Sequence, residues 1–474
     1  MTVPRGWIGR PVLALVGVLA LGGCATFSSD GGFAGVADEV RSRTGQDAAW
    51  ARDDGERSEI EARVAGLLRK RPLAADDAVQ VAILNNRALQ ASFAELGIAE
   101  ADLVQAGRLP NPHFSMLRAK LGHDYKIEQA LTFNVLSLVT APLALEVERR
   151  RFARAQQGIA LEVLGLASET RKAWIAAVAA QETVRYMRQV QEAAEAGAEL
   201  ARRMERAGNW SKLARAREQG FYADAALYAA RAEQARISAR ERLTRLMGLW
   251  GDQADFALPE RLPDLPGQAD ERPDIEREAM AKRLDVRAAV LETEALARNL
   301  GLTKTTRFVN VLEFGPARVL EGEKSDPHKK GYEIALELPL FDWGTARVAK
   351  SEALYRQGLE RTAQVAIDAR SQVREAYRNY RLGHDIAKHY RDEIVPLRKR
   401  IAEENLLRYN GMLIGVFDLL ADTRSQILSV TGYVEALRDF WFAEADLGMA
   451  MIGRAAPAAA GRAAMPQAES GGGH

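Results

Sequence analysis

Nucleophiles and metal ligands are sparse in this sequence. Cysteine occurs once, at Cys24, so neither an internal disulfide nor a thiolate cluster can form. The six histidines are scattered along the chain. His384 and His389 are five residues apart, which turns them about 140° from one another on a helix and keeps them off a common face. His113 and His123 fall near opposite ends of a predicted strand. No CxxC, P-loop, GxGxxG or GxSxG stands in the context its chemistry needs. Met412, Met449 and Met451 read as packing residues rather than a soft-metal cluster. The expectation is a protein that is not an enzyme, holds no metal and has no cofactor beyond a covalent group on Cys24. Lys+Arg (65) and Asp+Glu (64) nearly cancel, so there is no basic excess to attract nucleic acid.

The surroundings of Cys24 give it a role. Arg5 and Arg10 form a positive segment, Val12 to Leu21 an apolar one of about ten residues, and Leu21-Gly22-Gly23 leads into the cysteine. The apolar stretch is too short to span a bilayer. The pattern resembles the lipobox of bacterial lipoproteins, in which cleavage precedes the cysteine, the thiol receives a diacylglycerol and the new amine is acylated. That resemblance implies residues 1–23 as a signal peptide and Cys24 as a lipidated N-terminus, with Ala25 in place of Asp pointing to the outer membrane. Several acyl chains, at about 0.8 kcal/mol per buried CH₂, would anchor the protein stably. No later stretch has 18 consecutive apolar residues, so any further crossing requires barrel strands.

These residues have to be positioned by long helices. Hydrophobic residues make up 47%, charged residues 27% and aromatics 7%, a composition rich in helix formers. Residues 24–71 have the composition of a lipidated tether with some helix, and an ordered body is expected to begin near Pro72. Apolar spacing predicts helix from Asp76 to Gly107, stopped by Pro110-Asn111-Pro112. His113–Leu121 and Tyr125–Phe133, separated by Gly122-His123-Asp124, read as a hairpin. Tyr125, Ile127, Gln129, Leu131 and Phe133 share one strand face, opposite Lys126, Glu128, Ala130, Thr132 and Asn134. A helix of about 143–207 would run roughly 95 Å and needs neighbours along its length. It breaks at Ala207-Gly208-Asn209-Trp210-Ser211, and a return helix runs from about Ser211 to Gly248.

The plan then repeats. Leu89 and Val286 correspond at an offset of 197, as do Pro142 and Pro339, whereas Gly248 and Gly453 differ by 205. The second descending helix is therefore expected to be longer by about seven residues, which preserves a packing face. The domain expectation is a first repeat at 72–258, a linker at 259–273, a second repeat at 274–453 and a disordered tail at 454–474. In the second hairpin Tyr332, Ile334, Leu336 and Leu338 alternate with Glu333, Ala335 and Glu337. Its partner strand is expected over about Arg307 to Leu320, with a polar loop from Glu321 to Lys330.

From about Pro72 to Gly453 the sequence resembles the TolC-like outer-membrane efflux protein family. The resemblance rests on the doubled plan, on Leu338-Pro339-Leu340-Phe341-Asp342-Trp343-Gly344, on Ala207-Gly208-Asn209, and on Tyr409 to Leu420 (YNGMLIGVFDLL). It implies a mainly α fold with a small β part. Duplicated long-helix coiled-coil hairpins would form a trimeric α-barrel, and two β-hairpins per chain a shared 12-stranded transmembrane β-barrel. Four strands cannot close a barrel, and an open edge in lipid leaves backbone groups unpaired, so three copies answer the same problem.

Function follows from the resemblance. The chain would be the exit duct of a tripartite efflux system, a homotrimer in outer-membrane lipid working with a periplasmic adaptor protein and an inner-membrane transporter. A type I secretion exit duct and a periplasmic coiled-coil scaffold lipoprotein are the alternatives. Asp418 matches an acidic gate position of the family, where three copies would make a carboxylate ring; its other reading is a residue at a helix start. The neighbouring acidic position falls on Ala421, with Asp422 beside it, and the first-repeat counterpart of Asp418 is Ala214. The turns Gly208, Asn209, Trp210, Ser211 and Gly411, Met412, Leu413, Ile414, Gly415 would receive the adaptor. Glycine permits such turns whatever their function. Asp342 is expected only to cap the following helix.

Overall fold

A computed structural model of the chain describes residues 26–309, 311–323 and 325–453. Cys24, the signal segment 1–23 and residues 454–474 lie outside the described residues. The elements run α1 (Phe33–Thr44), α2 (Asp54–Leu68), α3 (Ala75–Asn85), α4 (Arg87–Ala106), β1 (His113–Leu121), β2 (Asp124–Asn134), α5 (Val135–Arg206) and α6 (Lys212–Leu246). The plan then recurs as α7 (Ile275–Lys282), α8 (Leu284–Thr305), β3 (Leu312–Gly322), β4 (Lys329–Leu336), α9 (Thr345–His389), a π-helical turn (Tyr390–Ile394), α10 (Val395–Asn410) and α11 (Val416–Ile452). Two compact units result. One contains the sheet and the helix segments around it, from the described residues up to Gly35, Phe93–Gln157 and Val286–Val365. The other is formed by Val36–Ser92, Gly158–Asp285 and the described residues from Ala366 to Gly453.

In the sheet unit all four strands pair antiparallel in the order β1-β2-β3-β4. The register puts Phe114 opposite Leu131, Phe133 opposite Phe314, and Phe314 opposite Ile334. The face expected for β2 is thereby continued across all four strands. β3 carries Pro316, which has no N–H to donate, and the β2 ladder skips the positions between Ala130 and Phe133. Gly315 beside it is required by space, because a Cβ there would lie 1.8 Å from the Leu131 carbonyl oxygen. β3 starts later than the expected Arg307, because α8 continues to Thr305 and Thr306 still donates to Leu302. Leu338 falls beyond the end of β4.

The helix starts differ between the repeats. Asn134 accepts from the Ser137 N–H at 2.8 Å, so α5 begins at Val135 and carries Pro142 in its early turns instead of starting there. The equivalent Pro339 precedes a turn in which Asp342 accepts from Gly344 N–H at 2.8 Å, and helix resumes at Thr345. Gly344 has φ +70°, and a Cβ on it would press on the Arg307 carbonyl oxygen at 2.6 Å. Thus the second helical run, Thr345–Asn410, is shorter than the 72-residue α5, correcting the expected order of lengths. From the equivalent proline to the tip it is longer, as expected, and the π-helical turn lies within that stretch. The predicted single helix 76–107 is likewise two, broken where Asn86 turns extended.

The stretch expected to be a tether is built into both units. In the sheet unit the Phe33 and Phe93 rings meet edge-on at 4.8 Å, Ser28 donates twice to Glu100, and Gln156 donates to the Gly32 carbonyl at 2.8 Å. In the other unit Val36, Val40, Ile60 and Val64 are buried, so packed structure begins well before Pro72. That unit's core joins Leu73, Val81, Leu84, Trp174, Val178, Leu243, Met247 and Phe440. The linker 259–273 is a packed strap. Leu262 and Leu265 are buried, Glu182 accepts from Leu262 N–H at 3.3 Å, and Trp441 donates to the Pro263 carbonyl at 3.2 Å. The buried His384 ring bonds the Pro266 carbonyl at 3.0 Å, so His384 is a structural residue here. Burial holds the Glu182 carboxyl above the usual carboxylate range.

Candidate functional site

Both helix tips lie in the second unit and are built on one hydrogen-bond scheme. At the first, Gly208 takes φ +75° and Asn209 N–H reaches back to the Met204 carbonyl at 2.9 Å. At the second, Leu413 N–H reaches back to the Arg408 carbonyl at 2.8 Å. Each is a reversal with one residue in the left-handed region. In the second tip that residue is Met412, at φ +58°, rather than Gly411, at φ −81°. The second turn thus does not use the conformational freedom of Gly411. A side chain in this region costs about 1 kcal/mol or more, and Met412 accepts that cost while 93% exposed.

The return helices are capped in complementary ways. Ser211 Oγ accepts from Ala214 N–H at 3.1 Å. Gly415 has no side chain to do this, and instead its N–H donates to Asp418 Oδ2 at 3.2 Å. Each tip thus uses one half of a capping box. Asp418 is exposed and at the helix start, where the N-terminal dipole favours a carboxylate.

The tips are brought together by aromatic stacking. The rings of Trp210 and Phe417 lie 3.9 Å apart with planes 15° from parallel, so Trp210 of the first turn rests on the residue next to Asp418. Behind this contact Arg424 of α11 is buried. It pairs with Glu218 of α6 at 2.8 Å and lies over the Phe221 ring at 3.8 Å. Gly197 of α5 makes room, since a Cβ there would approach the Arg424 guanidinium to 3.0 Å. Asp422 is tied to Asn405 of α10. Sequence reading missed Phe417, Arg424, Glu218 and Asn405. The apolar start FDLL contains Phe417, but nothing local marks its partner.

In the sheet unit the strands separate two kinds of surface. Phe114, Met116, Phe314, Tyr332, Ile334 and Leu336 are exposed on one face, and the Phe314 and Tyr332 rings meet at 6.0 Å. The opposite face carries every carboxylate of the strands, with Thr132 donating to Glu313 at 2.9 Å and Lys126 paired to Glu128 at 2.8 Å, and its exposed apolar side chains are Leu117 and Leu121 of β1. Among the described residues β1 and β4 each have one edge without a partner strand. Among the described residues no helix is long and apolar enough to cross a membrane, and no group of histidine, cysteine and acidic residues could hold a metal ion.

No protein-family model matches the sequence, and no curated protein matches it. Solved structures do. A membrane protein from Pseudomonas aeruginosa is similar over 80% of this chain and 93% of its own, with 18% identity and a TM-score of 0.68. The outer membrane protein VceC from Vibrio cholerae matches over 81% of this chain and 97% of its own, at 14% identity and a TM-score of 0.66. The MtrE outer membrane channel of Neisseria gonorrhoeae, solved in its open state, matches over 80% of this chain and 89% of its own, at 18% identity and a TM-score of 0.65. The chain has the fold of the TolC-like outer-membrane channels.

Proposed function

We propose that three copies of this chain form the outer-membrane exit duct of a tripartite efflux system. The observation that carries this reading is the two-faced sheet with two open edges. A face with exposed aromatic and aliphatic side chains and no carboxylate suits lipid, the face that holds the carboxylates suits a lumen, and unpaired edges cannot remain open in a bilayer. β1 and β4 run antiparallel to each other, so β4 of one copy can pair with β1 of the next and every neighbour in a 12-stranded barrel is antiparallel. Strands of 9, 11, 11 and 8 residues suit a tilted crossing. The long α5 and the α9–α10 run, with their return helices, would continue the passage into the periplasm.

The work of such a duct is gated passage, with no bond made or broken in the cargo. The tips Gly208–Ser211 and Gly411–Gly415 meet a periplasmic adaptor, which couples the duct to an inner-membrane transporter. Asp418 from three copies forms the constriction charge. Cys24 carries the lipid that anchors the N-terminus in the outer membrane. The fold supports this reading through the likeness to outer-membrane channels, and the short apolar segment ahead of Cys24 supports the anchor.

The test is fractionation of cells producing the full chain, followed by native mass spectrometry of detergent extracts and mass analysis of the N-terminal peptide. Detergent-dependent trimers in the outer-membrane fraction with a lipid-modified Cys24 are expected. Monomers that pass into aqueous buffer once the lipid is removed would mean a periplasmic scaffold instead.

A further inference from the structure

The sheet divides its charges between its faces more sharply than a barrel wall requires. Cross-strand pairing places Arg118 opposite Ile127, Lys120 opposite Tyr125, and Arg318 opposite both Gln129 and Lys330. Opposed residues of a ladder share a face, so Arg118, Lys120, Arg318 and Lys330 all lie on the face that carries Phe114, Phe314 and Ile334. All four are exposed, and no Asp or Glu of any strand stands on that face. The other face holds Asp124, Glu128, Glu313, Glu321 and Glu333, and its two lysines are neutralised, Lys126 by Glu128 at 2.8 Å and Lys329 by Glu321 at 3.0 Å. Arg118 and Lys120 instead lie over the Tyr125 ring, at 5.9 and 5.2 Å.

This arrangement is unfavourable unless an anion completes it. Arg318 and Lys330 are directly opposed like charges, which destabilise a ladder. A neighbouring copy cannot neutralise the cations from its strands, because it presents the same carboxylate-free face. The cations stand towards the Gly122 end of the face, around Tyr125, Ile127 and Leu320, and the end nearest the helices, with Phe114, Leu131, Phe133, Phe314 and Ile334, carries no charge. Aliphatic and aromatic surface grading into unpaired cations is the profile of a site for an amphiphile with an anionic head. Neighbouring strands are about 4.8 Å apart, so the β1 pair and the β3–β4 pair lie roughly 10 Å from each other, a span that one headgroup bearing two phosphates can bridge. Arg supplies forked donors and Lys a point charge, the two usual ways of holding phosphate.

We propose that this outward basic row is a binding site for a phosphorylated glycolipid of the surrounding leaflet. Its acyl chains lie along Phe114, Phe314, Tyr332 and Ile334, and its phosphates sit on Arg118, Lys120, Arg318 and Lys330. The inference rests on the duct reading, since the face must meet lipid. Bound lipid would cover the like-charge pair and so stabilise the β3–β4 ladder.

The test uses the full-length trimer in neutral detergent, with binding read by native mass spectrometry and by the shift in trimer melting. The probes are a diphosphorylated hexa-acyl glycolipid, the same glycolipid without phosphates, and inorganic phosphate. Only the first should bind and raise the melting temperature. Arg318→Gln with Lys330→Gln should weaken its binding roughly 10- to 30-fold, from about 1 kcal/mol per cation near a charged headgroup, and Lys126→Gln with Lys329→Gln should leave it unchanged. Equal binding of the phosphate-free lipid, protection by inorganic phosphate alone, or no loss in the Arg318/Lys330 variant would overturn the site. A Phe314→Cys variant separates this from the duct reading. A thiol freely labelled by a water-soluble maleimide in native membranes removes the lipid-facing premise, whereas a protected thiol with no glycolipid preference removes only the site.

Discussion

The two helix tips solve one problem with different residues. In the first, Gly208 supplies the left-handed residue and Ser211 caps the return helix. In the second, a methionine takes the left-handed position and the cap comes from the far side, from Asp418 back to Gly415 N–H. The first tip is therefore relaxed, with the basic Lys212 opening its return helix, and the second is strained, with the acidic Asp418 in the first turn of its own. The same asymmetry recurs along the repeats. Where α3 meets α4, Asn85 and Asn86 donate to the carbonyls of Leu246, Met247 and Gly248. At the matching junction of α7 and α8 stands Arg283, only 1% exposed, held by Asp285 at 2.9 and 2.5 Å, the Ala450 carbonyl at 2.8 Å and Gln372 at 2.9 Å. α5 is an unbroken α-helix, whereas its counterpart is interrupted by the Tyr390–Ile394 π-turn. One duplicated plan thus yields a regular half and a half that concentrates charge and irregularity, the features from which a movable element is made.

The largest difference between the halves should appear at the junctions. Arg283→Met leaves the largely buried Asp285 without its guanidinium and should cost about 3–5 kcal/mol. Asn86→Ala removes neutral hydrogen bonds and should cost about 1–2 kcal/mol. Chemical unfolding of the two variants measures both, and equal losses would mean that the arginine junction is no more demanding than the amide one. Next in size is the π-turn. A Cβ at Gly432 would meet the Tyr390 ring at 2.9 Å, so Gly432→Ala should destabilise by about 1–3 kcal/mol. Gly220, in the return helix of the first repeat, has open space around its Cβ position, and Gly220→Ala should stabilise by about 0.5–1 kcal/mol. A neutral Gly432→Ala, read by the same unfolding curves, would show that Tyr390 can move aside and that the π-turn is not fixed by this contact.

A smaller effect is expected at the turns themselves. Met412→Gly should raise stability by about 1 kcal/mol because it removes a side chain from the left-handed region, while Gly208→Met should lower it by a similar amount. Opposite signs in thermal melts of the two variants would confirm that the tips differ in strain. The same sign would mean that one of the turns refolds around the substitution.

Much of the fold was legible because it is written in local period. Alternation along Tyr125–Phe133 gave the strand face that the pairing then carried across the sheet, and the offset of 197 gave the doubled plan. Helix boundaries were less accessible, since they depend on single side chains: Asn134 starts α5 ahead of Pro142, and Asp342 with Gly344 delays α9 to Thr345. The left-handed position of the second tip is hidden for a comparable reason. Gly411 is the obvious turn residue, but the offset of 204 that aligns Ser211 with Gly415 also aligns Gly208 with Met412, and that alignment identifies the left-handed position. Arg283, Arg424 and the Trp210–Phe417 stack were not legible. Their partners lie up to about two hundred residues away, and no local pattern encodes such contacts. The packing of residues 28–68 was hidden by a Ser/Gly-rich, charged composition that suits a tether equally well.

The smallest effect on stability, and the sharpest test of the charged tip, concerns Asp418. Its hydrogen bond to Gly415 N–H is a complete structural role, so a change on Asp418→Ala alone would confuse a lost cap with a lost charge. Asp418→Asn separates them, because an amide oxygen can still accept from Gly415 N–H but carries no charge. If three carboxylates converge on an axis, both variants should weaken divalent-cation block and cation preference of single trimers in planar bilayers, with Ala additionally costing about 0.5–1 kcal/mol of helix stability. If Asp418 serves only as a cap, Asn should behave as the parent and Ala should change stability without changing conductance. The control is Asp422→Asn, not Asp422→Ala, since Asp422 is already tied to Asn405 and should keep that contact as an amide. Unchanged block and selectivity in both Asp418 variants, with the trimer intact, would leave the second tip strained and capped but without a gate charge.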